Sequence, residues 1–234
     1  MPRTLRVIAI AMFLYTCTMS VCAQESAGVH ASPDATALTN GVRPGSTMNQ
    51  NDSPYRLKKG DNEFGGWGGI AFNATTIFGG LREDEARDRK FVIAAFRYGR
   101  TLAANKNLAL QYTLDVIPLA VATGNITEST TVVTPTGPVT TFRRESAYGA
   151  GLTPLGLQLD FANSSHIKPF VHIGGGFLVF SKPVPLPDAG RFAYVGETGA
   201  GLRIFTSERR AVSFGVRFHH ISNGDRSGSN RGLN

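Results

Sequence analysis

The side chains best suited to chemistry lie near the carboxy-terminal end, in Phe218-His219-His220-Ile221-Ser222-Asn223-Gly224-Asp225-Arg226. His220 and Ser222 are two residues apart. On an extended segment both point to one face, with side chains about 6–7 Å apart by strand rise. An imidazole within reach of a hydroxyl is the minimum for an activated oxygen nucleophile. Asn223, beside the serine, carries an amide able to donate to an oxyanion. Polar residues at a strand end are also ordinary rim decoration, so the spacing needs support from its surroundings.

The support comes from the face. Counting back from Ser222 and His220 gives Phe218, Val216, Phe214 and Val212, all apolar, while the opposite side carries Arg217, Gly215 and Ser213. The pair therefore belongs to an apolar outer surface, and the polar side is directed to an interior. Polar groups set into a lipid-facing surface are costly and tend to be functional. A nucleophile so placed implies a substrate that is itself a lipid.

The elements that must hold this face are strands. From residue 61 onward, runs rich in aromatic residues, β-branched residues and glycine are punctuated by turn residues. The pattern predicts strands over roughly 62–76, 90–102, 108–122, 147–161, 168–180, 191–206 and 211–223. Several exceed the usual globular strand and fit the tilted length that spans a membrane. Their connections alternate: long at 81–90, tight at 105–107, a long Thr/Pro-rich excursion at 123–146, short at 163–166, medium at 181–190 and tight at 207–210. Such alternation is the mark of an outer-membrane barrel with loops outside and turns in the periplasm. A two-residue period agrees. Leu108, Leu110, Tyr112, Leu114 and Val116 oppose Ala109, Gln111, Thr113 and Asp115, and Leu155, Leu157, Leu159 and Phe161 oppose Gly156, Gln158 and Asp160. Asp115, Asp160, Glu197 and Arg203 are thereby kept off the lipid face, as a closed barrel requires. Gly174, Gly175 and Gly176 suggest a bend or a close-packed spot in the wall.

The fold expected is all-β, an eight-stranded antiparallel outer-membrane barrel. Seven strands and their connections consume the residues after 60, so the last strand is expected to be missing or truncated at Asn234. Its absence leaves the first strand's edge unpaired.

The chain of 234 residues carries a formal charge of +7, 27 Gly, 15 Phe and only 2 Cys. Arg3 and Arg6 precede an apolar run ending in Val21-Cys22-Ala23, the pattern of a secretory signal peptide over 1–23. A lipoprotein reading of Cys22 is weaker, because Val21 is a poor residue to precede a lipidated cysteine. Removing 1–23 takes away both cysteines, which excludes disulfide scaffolds, cysteine-ligated metals and thiol catalysis in the mature chain. Residues 24–60, rich in Ser, Ala, Thr, Asn, Gly and Pro, read as a disordered or loosely ordered periplasmic arm. Residues 61–234 form the barrel domain. The basic surplus comes without blocks of Lys and Arg interleaved with aromatics, and in an exported chain this argues against nucleic acid. No later run is long enough for a membrane helix.

His220-Ile221-Ser222-Asn223, followed by Asn230-Arg231-Gly232-Leu233-Asn234, resembles the carboxy-terminal signature of PagL-type lipid A 3-O-deacylases, also known as acyloxyacyl hydrolases. Residues 148–156, Lys168-Pro169-Phe170 with the glycine triplet, and Gly199-Ala200-Gly201-Leu202-Arg203 resemble it too, so the likeness covers about 91–234. It implies an eight-stranded outer-membrane barrel that removes the acyl chain esterified at position 3 of lipid A, with neither metal nor cofactor. It also implies His220 as general base, Ser222 as nucleophile and Asn223 as oxyanion donor. The family's third member, a Glu that orients the histidine, falls at Asn234. An asparagine can orient an imidazole but stabilises its cation less than a carboxylate does. Asp225 is a nearer carboxylate. Lipopolysaccharide in the outer membrane is the partner implied, and the reading leaves room for a homodimer.

Two other readings are open to the sequence. One is a non-enzymatic barrel for adhesion or interaction, whose 123–146 excursion binds a partner. The other is a secreted, lipocalin-like lipid carrier.

Overall fold

The computed structural model describes residues 19–25 (backbone only), 53–72, 85 and 88–226. Seven long strands run in chain order: β2 (Asn62–Phe72), β3 (Lys90–Ala104), β4 (Leu108–Thr134), β5 (Gly137–Phe161), β6 (Ile167–Phe180), β7 (Phe192–Ser207) and β8 (Arg210–Ser222). Each pairs antiparallel with the next, giving one continuous curled sheet. Their bounds fall close to those expected from the sequence, with one correction. The 123–146 excursion is no loop, because β4 and β5 continue as a two-stranded ribbon paired out to Thr134↔Gly137. Threonine and valine favour the pleated conformation. At the tip, Gly137 adopts φ +121°, and the Thr134 hydroxyl donates to its carbonyl oxygen at 2.7 Å. Across the ribbon the hydroxyls of Thr131 and Thr140 meet at 2.9 Å.

A short strand, β1 (Met19–Glu25), lies between β2 and β8 and pairs antiparallel with both, so the seam expected to stand open is bridged. Two facing edges offer unpaired N–H and C=O groups that any extended segment can satisfy. The strand straddles the point after Ala23 where cleavage is expected. Asn230 and Asn234 lie outside the described residues.

The distribution of side chains inverts that of an ordinary soluble domain. Large apolar residues face outward along every long strand, among them Phe96, Leu155 and Ile173 at 66%, 73% and 61% exposure. Charged residues line the inside. Asp115, Asp160, Glu197 and Arg203 are all buried, as the alternation predicted. Arg97 grips Asp115 through two hydrogen bonds of 2.7 and 2.6 Å, and Arg203 donates to both oxygens of Glu63 at 3.0 and 3.2 Å. Charges taken out of water persist only in such company, because an unpaired one costs several kcal/mol.

Apolar plugs flank this charged middle. Toward the loop end sit Trp67, Phe91, Ile93, Leu178, Phe180, Val195 and Ile221. Across that end the Arg89 guanidinium donates to Glu85 O and Pro185 O. Its pKa is pushed down to about 10 by burial and by neighbouring Arg144. At the turn end Leu57 packs with Ala109, Phe205 and Ala211. The Asn163 side chain accepts from Leu57 N (3.0 Å) and donates to Leu57 O (2.9 Å), and Lys168 Nζ donates to Asn163 O. Leu57 falls in the stretch expected to be loosely ordered, yet residues 53–60 are held in place. One buried leucine whose main-chain groups are both satisfied is enough to seat the segment.

Candidate active site on the outer face of β8

Burial alternates along the end of β8. Arg217, His219 and Ile221 are buried, while Phe218, His220 and Ser222 are partly exposed. The adjacent histidines therefore face opposite ways, and His220 shares the apolar outer face with Ser222 as the counting implied. His219 turns inward. Its Nδ1 lies 3.5 Å from Glu197 Oε2, and its ring stacks on Trp67 at 6.1 Å between centroids.

The neighbouring strand completes the surroundings. Gly196 of β7 pairs with His220, and Tyr194 pairs with Ser222. A β-carbon added at Gly196 would meet nothing within 4 Å. The wall at Gly196, beside the imidazole, is therefore open. Next to Gly196 on β6 stands Gly175, where an added β-carbon would make only an ordinary contact, 3.7 Å from Val195 O. Its two neighbours differ. At Gly176 an added β-carbon would fall 2.1 Å from Leu152 O, and at Gly174 it would fall 2.7 Å from Glu197 Oε1. The triplet is a close-packed spot on its inner side and an open one on its outer side.

Above Ser222 an aromatic group forms a rim. Phe192 stacks with Phe177 at 5.7 Å and meets Tyr194 edge-on at 5.1 Å. The chain leaves β8 through a tight turn. Gly224 and Asp225 both take left-handed conformations, φ +62° and +60°, and Arg226 N donates to Asn223 O at 3.4 Å. The central pair Gly224-Asp225 is of the residue types that tolerate such left-handed conformations, and the sequence reading passed over it.

Asn223 is placed differently from the expectation. Its side chain is buried on the inner side, opposite Ser222. Its amide donates to Ala189 O at 2.9 Å, and its Oδ1 accepts from Asp225 N at 3.0 Å. That geometry pins the turn behind the serine and does not aim the amide at an oxyanion. Among the described residues, the Asp225 carboxylate has no ion-pair or side-chain hydrogen-bond partner, His220 included. Asn234 lies outside the described residues. No three His, Cys, Asp or Glu side chains among the described residues are grouped to hold a metal ion. Tyr194 and Gly196 were not singled out by the sequence, and Arg226 only as the end of the reactive run. Only cross-strand register brings the first two beside the pair.

Fold and site together define an antiparallel β-sheet protein with an apolar exterior that carries His220 and Ser222 on one face. Residues 108–234 match the family model described as Lipid A 3-O-deacylase (PagL), and the chain belongs to that family of hydrolases. No curated protein and no solved structure matches the chain.

Proposed function

We propose that the protein is an outer-membrane esterase that hydrolyses the 3-O-acyl ester of lipid A and so remodels lipopolysaccharide. The observation that carries the reading is the outward-facing His220/Ser222 pair on an apolar wall, inside the segment matched by the family. His220 takes the proton of Ser222 Oγ as that oxygen attacks the ester carbonyl. The tetrahedral intermediate collapses, the C–O bond to the sugar breaks, and the sugar oxygen leaves with the proton from His220. Water, deprotonated by the same imidazole, then hydrolyses the acyl-serine and releases a fatty acid. Asn234 is the proposed partner that orients His220, in place of the family's acidic residue. Asn223 acts as the oxyanion donor only if its amide releases Ala189 O. Without that release its part is to position the serine.

We place the site at the outer leaflet, after export directed by residues 1–23. Cleavage after Ala23 removes all of β1 except Gln24 and Glu25, and amino-terminal sequencing of the membrane-fraction protein tests this. The functional test is mass spectrometry of lipid A from cells expressing the full-length gene. A lipid A species lacking the 3-O-acyl chain is expected, and its loss in Ser222→Ala. Unchanged acylation, or deacylation that survives that substitution, overturns the reading.

A second reading, a non-enzymatic adhesion barrel, is favoured by the projecting β4–β5 ribbon, whose Val132, Val133 and Val139 are exposed. Shortening the ribbon while scoring both adhesion and deacylation separates the two.

A further inference from the structure

We infer that Arg226 is the anion anchor of the site and holds a phosphate group of the lipid substrate while Ser222 attacks the ester. The inference rests on the deacylase reading and adds to it a residue that selects phosphorylated lipid.

The tight turn after β8 folds the chain back over β7. Gly224 makes this possible, because a β-carbon there would lie 3.0 Å from the Tyr194 ring, at a left-handed φ. The turn brings Arg226 onto the aromatic rim. Its guanidinium donates to the Tyr194 hydroxyl at 3.1 Å and lies over the Phe192 ring, 5.5 Å from the centroid. Tyr194 is the cross-strand partner of Ser222, so the cation is fixed one strand from the proposed nucleophile.

A guanidinium has five N–H donors in one plane. One is engaged by Tyr194 and one face is covered by Phe192. Among the described residues no carboxylate pairs with Arg226, and its other side-chain N–H groups meet no protein acceptor. An exposed arginine set over an aromatic ring, with no other acceptor for its fork among the described residues, suits bidentate binding of a phosphate. Its level suits that ligand too, since aromatic belts mark the membrane interface where lipid headgroups lie. Lipid A is an acylated glucosamine disaccharide bearing phosphates, so one molecule can present an ester to Ser222 and an oxyanion to Arg226.

The experiment compares two substrates in mixed micelles with the full chain: lipid A with both phosphates, and lipid A stripped of both. The wild type is expected to prefer the phosphorylated lipid by about tenfold in KM, the scale of one charge-assisted contact. In Arg226→Ala that ratio is expected to fall to about one, and in Arg226→Lys to an intermediate value. Millimolar inorganic phosphate should not abolish the preference, which separates a lipid headgroup from free phosphate as the ligand. An Arg226 that merely locks the turn lowers turnover of both lipids and leaves the ratio intact, and that result overturns the inference. So does a wild-type ratio of one. Binding of the same two lipids to Ser222→Ala and to Ser222→Ala/Arg226→Ala gives a readout independent of turnover. If neither lipid is hydrolysed while phosphate-dependent binding through Arg226 persists, the deacylase reading fails and the anchor stands.

Discussion

His219 and His220 are adjacent and chemically identical, yet the pleat of β8 gives them opposite surroundings. His219 sits inside, against Glu197 and Trp67, in company with Arg217, which donates to Glu197 at 3.4 Å. His220 sits outside beside Ser222, facing the open wall over Gly196. The inner face is a network of paired arginines and carboxylates, in which removing one partner strands a buried charge. The outer face lies on an apolar surface, where polar groups gain little stability and are retained for chemistry. One residue of register separates a structural histidine from the proposed base.

Substitutions on the two faces should therefore be read by different measurements. The largest expected effect is on the outer face. Ser222→Ala should lower turnover at least about a thousandfold, and His220→Ala by about as much, with unfolding in urea unchanged for both. A marked loss of stability in either would blur the distinction. On the inner face, Glu197→Ala strips the carboxylate from Arg217 and His219 and leaves charge buried. A loss of about 3–5 kcal/mol in unfolding free energy is expected, measured on protein folded into vesicles, with specific activity of the folded fraction retained. Abolished turnover at full stability would show that the inner face takes part in catalysis.

Smaller changes sharpen the boundary. Gly196→Val adds bulk beside His220 where nothing on the backbone resists it, so the fold should hold. Obstruction of the approach should lower kcat/KM about tenfold, equivalent to about 1.4 kcal/mol. Unaltered kinetics would mean that the ester does not come in over that glycine. Asn223→Ala removes the amide bonded to Ala189 O, and a cost of about 1–2 kcal/mol is expected. If it lowers kcat far more than stability, the amide does reach the oxyanion during the reaction.

Much of the architecture was legible because a strand's alternation is local. Leu108 to Val116 and their opposing residues could be assigned to faces from identity alone, and Asp115 and Asp160 are indeed inside. The 123–146 segment was misjudged, since Pro and Gly masked strands rich in Thr and Val that pair far beyond the curled sheet. Leu57 was missed because its partner Asn163 lies 106 residues away, and one leucine in a polar stretch leaves no periodic signal. The same holds at the site. His220 and Ser222 stand in one motif, whereas Gly196 and Tyr194 come from another strand and their relevance is a matter of register. Asn223 shows the opposite case. Its neighbour's role suggested an oxyanion donor, but the pleat carries consecutive side chains to opposite sides.

The sequence by itself determined which face of β8 holds the reactive pair, because the two-residue period belongs to the backbone of a single strand. It also determined that Asp115, Asp160, Glu197 and Arg203 must lie inside, since the alternation keeps them off the apolar exterior. Only the tertiary structure decided what stands beside the pair: an open glycine, a tyrosine, and an arginine folded back onto the rim. Those neighbours depend on how β7 and β8 are staggered and on a turn with two left-handed residues. Cross-strand register is fixed by the sum of pairings around the whole sheet, and no single segment carries that information.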